Sequence, residues 1–256
     1  MQVVFHEAFH GSNYSPVPYD NAADPGRLAG IMAALTREGG YPVAMPAPAT
    51  RPDLLRGHSE DYVASVEASP DLFAMASLAA GAAILASDLA MGGVPAFACV
   101  RPPGHHANHA MAWGHCTFGN LALALLRLRE TGRIRSALVV DFDLHTGDGT
   151  LDLLRGWPEA QVINPYGNNA GAYLYVLEER LKEAPKVDLL AVSAGFDGYI
   201  ADIGHNLRTD DYFSIGRLLK DYALGNPQQR RFAVLEGGYY LPDLGSNVLA
   251  FCRGFE

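Results

Sequence analysis

The chain has 256 residues, a length near the upper limit for one hydrophobic core and common among α/β proteins. Hydrophobic residues make up 49% of the sequence and charged residues 18%, as in a soluble globular enzyme. The net charge of −9, without a cluster of lysine and arginine, argues against nucleic acid as a partner. The three cysteines lack metal-type spacing, and their odd number argues against a disulfide framework.

Short apolar segments alternate with helical patterns along the chain. We predict strands in five apolar segments, at 2–5, 95–100, 136–142, 187–193 and 231–235. We predict helices near 26–37, 72–91, 117–130, 172–183, 209–222 and 244–253. Because the strand segments lack polar alternation, both faces of the sheet should be covered, which favours a mainly parallel sheet in a layered α/β fold. We expect one domain over residues 1–256, with surface loops at the Pro-rich segments 14–18 and 42–52.

The N-terminal segment and one long apolar segment bear on the location of the protein. Residues 2–5 form a predicted strand without the charged segment that opens a signal peptide. The segment from Leu72 to Ser87 is uncharged, but Asp88 interrupts it short of the roughly 18–20 residues that a membrane span needs. We therefore expect a buried helix there, a cytoplasmic protein and no membrane partner.

Reactive side chains follow four of the predicted strands. They lie at Arg101–His106, at Asp141–His145, at Asp197 and at Glu236–Tyr240. Taken one at a time, these residues are equally compatible with ordinary loop or core positions. Ligands of open α/β sheets bind beyond the carboxyl ends of the strands, so we expect the four clusters to meet at one edge of the sheet.

The segment 141–145 indicates a metal site. Asp141, Asp143 and His145 are two residues apart, so on a strand they would point to the same face. Carboxylate oxygens and neutral imidazole are ligands that divalent ions prefer. From this segment alone the alternative is a strand end that passes into a polar loop with a hydrogen-bonded Asp–His pair.

Five segments resemble the histone deacetylase and acetylpolyamine amidohydrolase family: RPPGHHA (101–107), GHCTFGN (114–120), DFDLHTGDGT (141–150), SAGFD (193–197) and EGGYY (236–240). Weaker matches are DPGRL (24–28), GHSEDYV (57–63) and LRTDDYFSIGRLL (207–219). The segments occur in the family's order and cover nearly the whole chain. The resemblance implies the arginase-like, three-layer α/β fold of this family.

The resemblance also implies the activity and the ions. The family contains zinc-dependent amidohydrolases that remove an acetyl or other acyl group from a primary amine. Asp143, His145 and Asp197 match the three ligands of the catalytic zinc, for which Fe²⁺ is an alternative. Asp141 and Asp143 match contributors to a structural potassium site, together with backbone near Asn164.

The catalytic groups follow from the same resemblance. His105 and His106 match the tandem catalytic histidines, with Asp141 behind the first and Asp148 behind the second. Tyr239 matches the tyrosine that donates a hydrogen bond to the substrate carbonyl.

Two further positions match the wall of the acyl tunnel, which Tyr239 also contacts. They are Gly114 and His115. Because the family usually has an aromatic residue after the glycine, His115 makes this wall more polar.

Two other functions stay open. Ureohydrolases such as arginase and agmatinase share the fold but use two manganese ions, with further carboxylates where this chain has Gly147 and Gly195. A non-catalytic relative would bind acylated amines without hydrolysing them, although the expected ligands, the second histidine and the tyrosine are all present. Acetylpolyamine is the first candidate substrate and acetyl-lysine in protein the second, and the oligomeric state is open.

Overall fold

The structure, a computed structural model, describes residues 1–11, 24 and 26–256. The described strands are β1 (Gln2–Val4), β2 (Val43–Ala44), β3 (Ala96–Ala98), β4 (Ala137–Asp141), β5 (Ala160–Ile163), β6 (Leu189–Ala194) and β7 (Arg231–Leu235). They form one sheet in the order β2-β1-β3-β7-β6-β4-β5. Every neighbouring pair is parallel.

The described helices form two groups around this sheet. They are α1 (Arg27–Ala33), α2 (Arg51–Leu54), α3 (Glu60–Glu67), α4 (Pro70–Met91), α5 (Asn120–Glu130), α6 (Asp148–Leu154), α7 (Ala170–Glu183), α8 (Thr209–Leu224) and α9 (Leu241–Phe255). Helices α1, α7, α8 and α9 contact one another, and α2 to α6 form the other group. Since β4, β6 and β7 are buried at every position, both faces of the sheet are covered. The predicted three-layer α/β fold is confirmed.

The predicted strands and helices are all present, with ends that shift by a few residues. The prediction of a loop at 42–52 is wrong, because β2 pairs with β1 and Thr50 caps α2 within this segment. The predicted loop at 14–18 lies outside the described residues. The short elements β5, α3 and α6 were not predicted.

Helix α4 is the apolar segment that resembled a membrane span in composition. It has 22 residues and is long and apolar enough to cross a membrane, but 61% of its most apolar stretch is buried inside the protein. It packs against α5 and against β1, β3 and β7. The predicted buried helix is confirmed.

Gly81 lies where α4 passes closest to the segment before α2. A Cβ at Gly81 would lie 1.9 Å from the carbonyl oxygen of Ala47, whereas a Cβ at Gly30 in α1 would have nothing within 4 Å. We expect Gly81→Ala to destabilise the protein by roughly 1–3 kcal/mol through overpacking. Gly30→Ala should stabilise it by up to about 1 kcal/mol. Urea unfolding measures the free energy of unfolding of both variants. Equal changes in the two would contradict the close approach of Gly81 to Ala47.

The sheet brings the carboxyl ends of β3, β7, β6 and β4 to one edge. These four strands are consecutive neighbours in the sheet. The register pairs Asp141 with Ser193 and Ala194 with Leu235, so the strands end at nearly the same level. The predicted meeting of the four clusters at one edge is confirmed.

Candidate active site

The chain after β4 turns twice instead of continuing as a strand. Strand β4 ends at Asp141. The prediction that the strand extends through His145 is therefore wrong beyond Asp141. The amide of Asp143 donates to Asp141 Oδ1 at 3.2 Å, and the amide of His145 donates to Asp143 Oδ1 at 3.0 Å. These are successive side-chain-to-backbone turns of the kind that aspartate favours. The three side chains therefore come together through turns, not through strand alternation.

Asp143, His145 and Asp197 form the predicted metal group. Their ligand atoms all lie within 4.8 Å of one another. His145 Nδ1 is 3.1 Å from Asp143 Oδ1 and 3.0 Å from Asp197 Oδ2. Two ligand atoms of a tetrahedral zinc site lie about 3.3–3.4 Å apart, which is close to these distances. Asp197 Oδ2 is also a buried atom without a hydrogen bond among the described residues.

The electrostatics of the group favour a cation at its centre. A hydrogen bond to the carboxylate of Asp143, together with the carboxylate of Asp197 3.0 Å from Nδ1, raises the pKa of His145 to about 10. Burial, together with the neighbouring Asp143, raises the pKa of Asp197 to about 6. Both shifts have the sign expected where two buried carboxylates share one positively charged partner. An oxygen-and-imidazole donor set of this kind fits a divalent ion such as zinc.

The first tandem histidine is fixed by burial. His105 Nδ1 lies 3.0 Å from Asp141 Oδ2, and both side chains are almost wholly buried. Burial alone lowers the pKa of His105, but the carboxylates of Asp141 and Asp143 outweigh it and raise that pKa well above its ordinary value. The Asp141 carboxylate therefore holds His105 beside the metal group.

The second tandem histidine is paired with Asp148, as predicted. His106 Nδ1 lies 2.6 Å from Asp148 Oδ1. Burial and the neighbouring His105 lower the pKa of His106 below its ordinary value, and Asp148 offsets only part of this. Asp148 Oδ2 accepts hydrogen bonds from Trp113 Nε1 at 3.1 Å and from Asn108 Nδ2 at 3.3 Å. The sequence did not predict a role for Trp113 or Asn108.

Glu236 anchors the loop that carries both histidines. Its Oε2 accepts hydrogen bonds from the backbone amides of Gly104 at 2.7 Å and His105 at 3.1 Å. Burial raises the pKa of this carboxyl group to about 7. With His105 and Cys116 it forms a second group of metal-capable atoms, which shares a histidine with the site and is not separate from it. The segment EGGYY pointed to this region without giving Glu236 a role.

Tyr239 is held by its backbone and covered by Arg27. Asp202 Oδ2 accepts hydrogen bonds from the amides of Tyr239 at 2.6 Å and Tyr240 at 2.7 Å. The guanidinium carbon of Arg27 lies 5.5 Å from the centre of the Tyr239 ring. Burial raises the pKa of Tyr239 above its ordinary value, so its hydroxyl group remains a hydrogen-bond donor at neutral pH. The weak match DPGRL contains Arg27, whereas Asp202 gave no signal in the sequence.

One cavity of about 190 Å³ joins these groups. Its walls include His105, His106, Trp113, Gly114, His115, His145 and Tyr239. His115 is the predicted tunnel residue, and the centre of its ring lies 6.1 Å from the centre of the Tyr239 ring. One pocket thus holds the tandem histidines, the tyrosine, the tunnel residues and His145, and the carboxylates of Asp143 and Asp197 lie behind that histidine.

Comparison with known proteins agrees with this geometry. The model of the histone deacetylase domain matches residues 21–173, more than half of the chain. The chain belongs to the histone deacetylase family. A probable deacetylase of Methanothermobacter thermautotrophicus is 29% identical over 284 residues, covering 90% of this chain and 84% of that protein. The mouse polyamine deacetylase HDAC10 is 33% identical over 223 residues, covering 70% of this chain but 33% of that protein.

A solved structure shows the same fold. The crystal structure of the HDA15 HD domain superposes with a TM-score of 0.86 at 24% identity, covering 98% of this chain and 88% of that domain. Membership of this family, together with relatives named as deacetylases, identifies the protein as a deacetylase, which hydrolyses an amide C–N bond.

Proposed function

We propose that this protein is a zinc-dependent deacylase that hydrolyses the acyl amide of a primary amine. The convergence of Asp143, His145 and Asp197 carries this proposal, since His145 lines the pocket and the two carboxylates lie directly beside it. When bound, such an ion supplies Lewis-acid chemistry, which activates water and the amide carbonyl. Fe²⁺ accepts the same donor types and is the second candidate.

His106 is the group placed to move protons. Its Nδ1 is held by Asp148, which leaves Nε2 to the pocket. Its lowered pKa keeps the imidazole neutral at neutral pH, so Nε2 can accept a proton from water. The same nitrogen can then return the proton to the leaving amine. His105, with its raised pKa, supplies positive charge beside the reacting group.

Tyr239 is the hydrogen-bond donor for the developing oxyanion. Its half-buried side chain borders the pocket, and its raised pKa keeps the hydroxyl group protonated. A fixed donor acts where charge develops in the transition state, and the tetrahedral oxygen of amide hydrolysis is such a place.

The chain lacks the further carboxylates that a two-manganese centre would need. A Cβ at Gly195 would lie 2.1 Å from Asp143 Oδ2, and one at Gly147 would lie 2.2 Å from Asp141 Oδ2. Acidic side chains at either position would displace carboxylates that already form the site. The described centre therefore suits one ion.

The mouth of the pocket favours acyl-lysine over acylpolyamine. A wider cavity of about 510 Å³ continues from the pocket and shares His115 and Tyr239 with it. Within its described lining the single carboxylate is Asp202, which is 7% exposed and bonded to backbone amides. A polyamine would bring a further ammonium group to this mouth, where the exposed side chain of Ile203 offers apolar surface instead. We therefore propose acyl-lysine in a peptide as the preferred substrate class.

A panel of acetylated amines tests both parts of the proposal. We expect kcat/KM for an acetyl-lysine peptide with apolar neighbours to exceed that for acetylputrescine or acetylspermidine by about tenfold, equivalent to about 1.4 kcal/mol. Treatment with a chelator should abolish turnover, and zinc should restore it. A higher kcat/KM for the polyamines would contradict the substrate preference, and turnover without metal would contradict the zinc proposal.

The potassium site and the cytoplasmic location remain predictions. Asn164 Nδ2 donates to the Asp141 carbonyl oxygen at 3.3 Å, so the expected contributors to a potassium site are neighbours. The cytoplasmic location is proposed from the sequence alone.

A further inference from the structure

We infer that Trp113 is a positioning residue, which holds the His106–Asp148 pair in the geometry required for proton transfer. The inference rests on the proposed function. It concerns a side chain that none of the family-like segments singled out, since GHCTFGN begins one residue later.

Trp113 contacts both members of the pair at once. Its ring stacks on the His106 imidazole with centroids 3.7 Å apart and planes inclined by 26°. Its Nε1–H donates to Asp148 Oδ2 at 3.1 Å. One rigid side chain therefore fixes the plane of the imidazole and the orientation of the carboxylate behind it.

The two histidine–aspartate pairs differ in their need for such support. The side chain of Asp141 is 0% exposed, whereas that of Asp148 is 42% exposed. Water can compete for the oxygens of Asp148, so burial does not keep Oδ1 on His106. The N–H groups of Trp113 and Asn108 occupy Oδ2 instead and leave Oδ1 to the imidazole.

The charge of Asp148 is consistent with this arrangement. Partial burial raises the pKa of its carboxyl group, but hydrogen bonds from His106, Trp113 and Asn108 outweigh this and hold the pKa below its ordinary value. The carboxylate stays ionised and remains an acceptor for His106 Nδ1–H.

The backbone around Trp113 fixes the position of its ring. Gly114 and His115 both have positive φ, at 58° and 67°, so the chain turns sharply after Trp113. Before it, a bridge between Ala107 and Ala112 ties the loop to the segment that follows the tandem histidines. The stack is therefore built by the same loop that carries His106.

Two substitutions separate the stack from the hydrogen bond. Trp113→Phe keeps an aromatic ring but removes the N–H donor, and Trp113→Leu removes both. We expect kcat on an acetyl-lysine peptide to fall by about 10–100-fold in the second, as for partners that orient metal-bound histidines, and by a smaller factor of about 3–10 in the first, which keeps the stack. KM should change by less than about threefold, because positioning acts on the chemical step. Tyr175→Leu, which removes an exposed aromatic ring on α7, is the matched control and should keep the wild-type kcat.

A double-mutant cycle with Asp148→Ala tests whether Trp113 affects kcat through Asp148. If Trp113 acts through Asp148, Trp113→Phe should change kcat by less than about twofold in the Asp148→Ala background. The inference is overturned if Trp113 variants raise KM at constant kcat, as a simple wall of the substrate site would, or if the cycle is additive. Unfolding midpoints and metal content, measured on each variant, separate loss of fold or metal from loss of positioning. An inactive wild-type protein would contradict the proposed function, whereas an active one with unchanged Trp113 variants would contradict this inference alone.

Discussion

On the proposed function, a His145→Ala variant should fail to hold zinc and should lose its hydrolytic activity together. His145 Nδ1 lies 3.0 and 3.1 Å from the oxygens of Asp197 and Asp143, so the variant leaves two carboxylates where three ligands met. Metal content after desalting and turnover of an acetyl-lysine peptide measure the two losses. Unfolding gives a third readout, because zinc at about 100 times its Kd stabilises a folded protein by about 2.7 kcal/mol. The wild-type unfolding temperature should therefore rise with zinc, and that of the variant should not.

His205→Ala is the control for metal retention. His205 Nδ1 lies 3.0 Å from the carbonyl oxygen of Ile200, and this histidine is outside the metal group. The control should keep the zinc content of the wild type. Full zinc occupancy in His145→Ala would remove this residue from the ligand set, and a pair of ions in the wild type would contradict the one-ion centre.

Tyr239→Phe should keep the metal and lose most of the rate. The substitution removes one hydroxyl group and leaves the ring beside Arg27 and His115. Loss of one oxyanion donor lowers kcat by about 10²–10³-fold, equivalent to about 2.7–4 kcal/mol. KM should change little, because the hydrogen bond strengthens only as charge develops on the carbonyl oxygen. Steady-state kinetics with metal analysis on the same sample measures the outcome.

The adjacent tyrosine provides a matched comparison. Tyr240 is 38% exposed and lines the outer cavity but not the pocket that holds the tandem histidines. Tyr240→Phe should therefore retain a rate close to that of the wild type. Similar losses in the two variants would show that the effect arises from the loop and not from the Tyr239 hydroxyl group.

Much of the fold could be predicted from local patterns. The segments 136–142, 187–193 and 231–235 are mostly apolar and lack polar alternation because their strands are buried on both faces, and this pattern indicates a parallel sheet. The edge strands β2 and β5 escaped prediction, since they have only two and four residues and are only partly buried. Such short segments carry too little periodicity to be distinguished from a loop.

The identities of the reacting groups were also present in the sequence. Asp143 and His145 follow β4, Asp197 follows β6 and Tyr239 follows β7, and parallel strand ends must meet at one edge of the sheet. The reason given for the first two was nevertheless incomplete, because strand alternation stops at Asp141. Asp side chains that bond to the backbone two residues ahead replace the strand there, and this competition is decided by local hydrogen bonds.

Other features depended on residues that are distant in the chain. Trp113 meets Asp148 across 35 positions, and Asp202 meets Tyr239 across 37, so no local window contains either contact. The charge that the mouth of the pocket presents also depends on such contacts. The sequence shows that Asp202 is acidic, but not that backbone amides donate hydrogen bonds to its oxygens. The sequence alone determined the sheet and the set of reactive side chains, because the type of each residue indicates whether it can be buried and which chemistry it can perform. The tertiary structure alone decided how those side chains are held and what the mouth presents, because orientation and exposure depend on loops packed from separate parts of the chain.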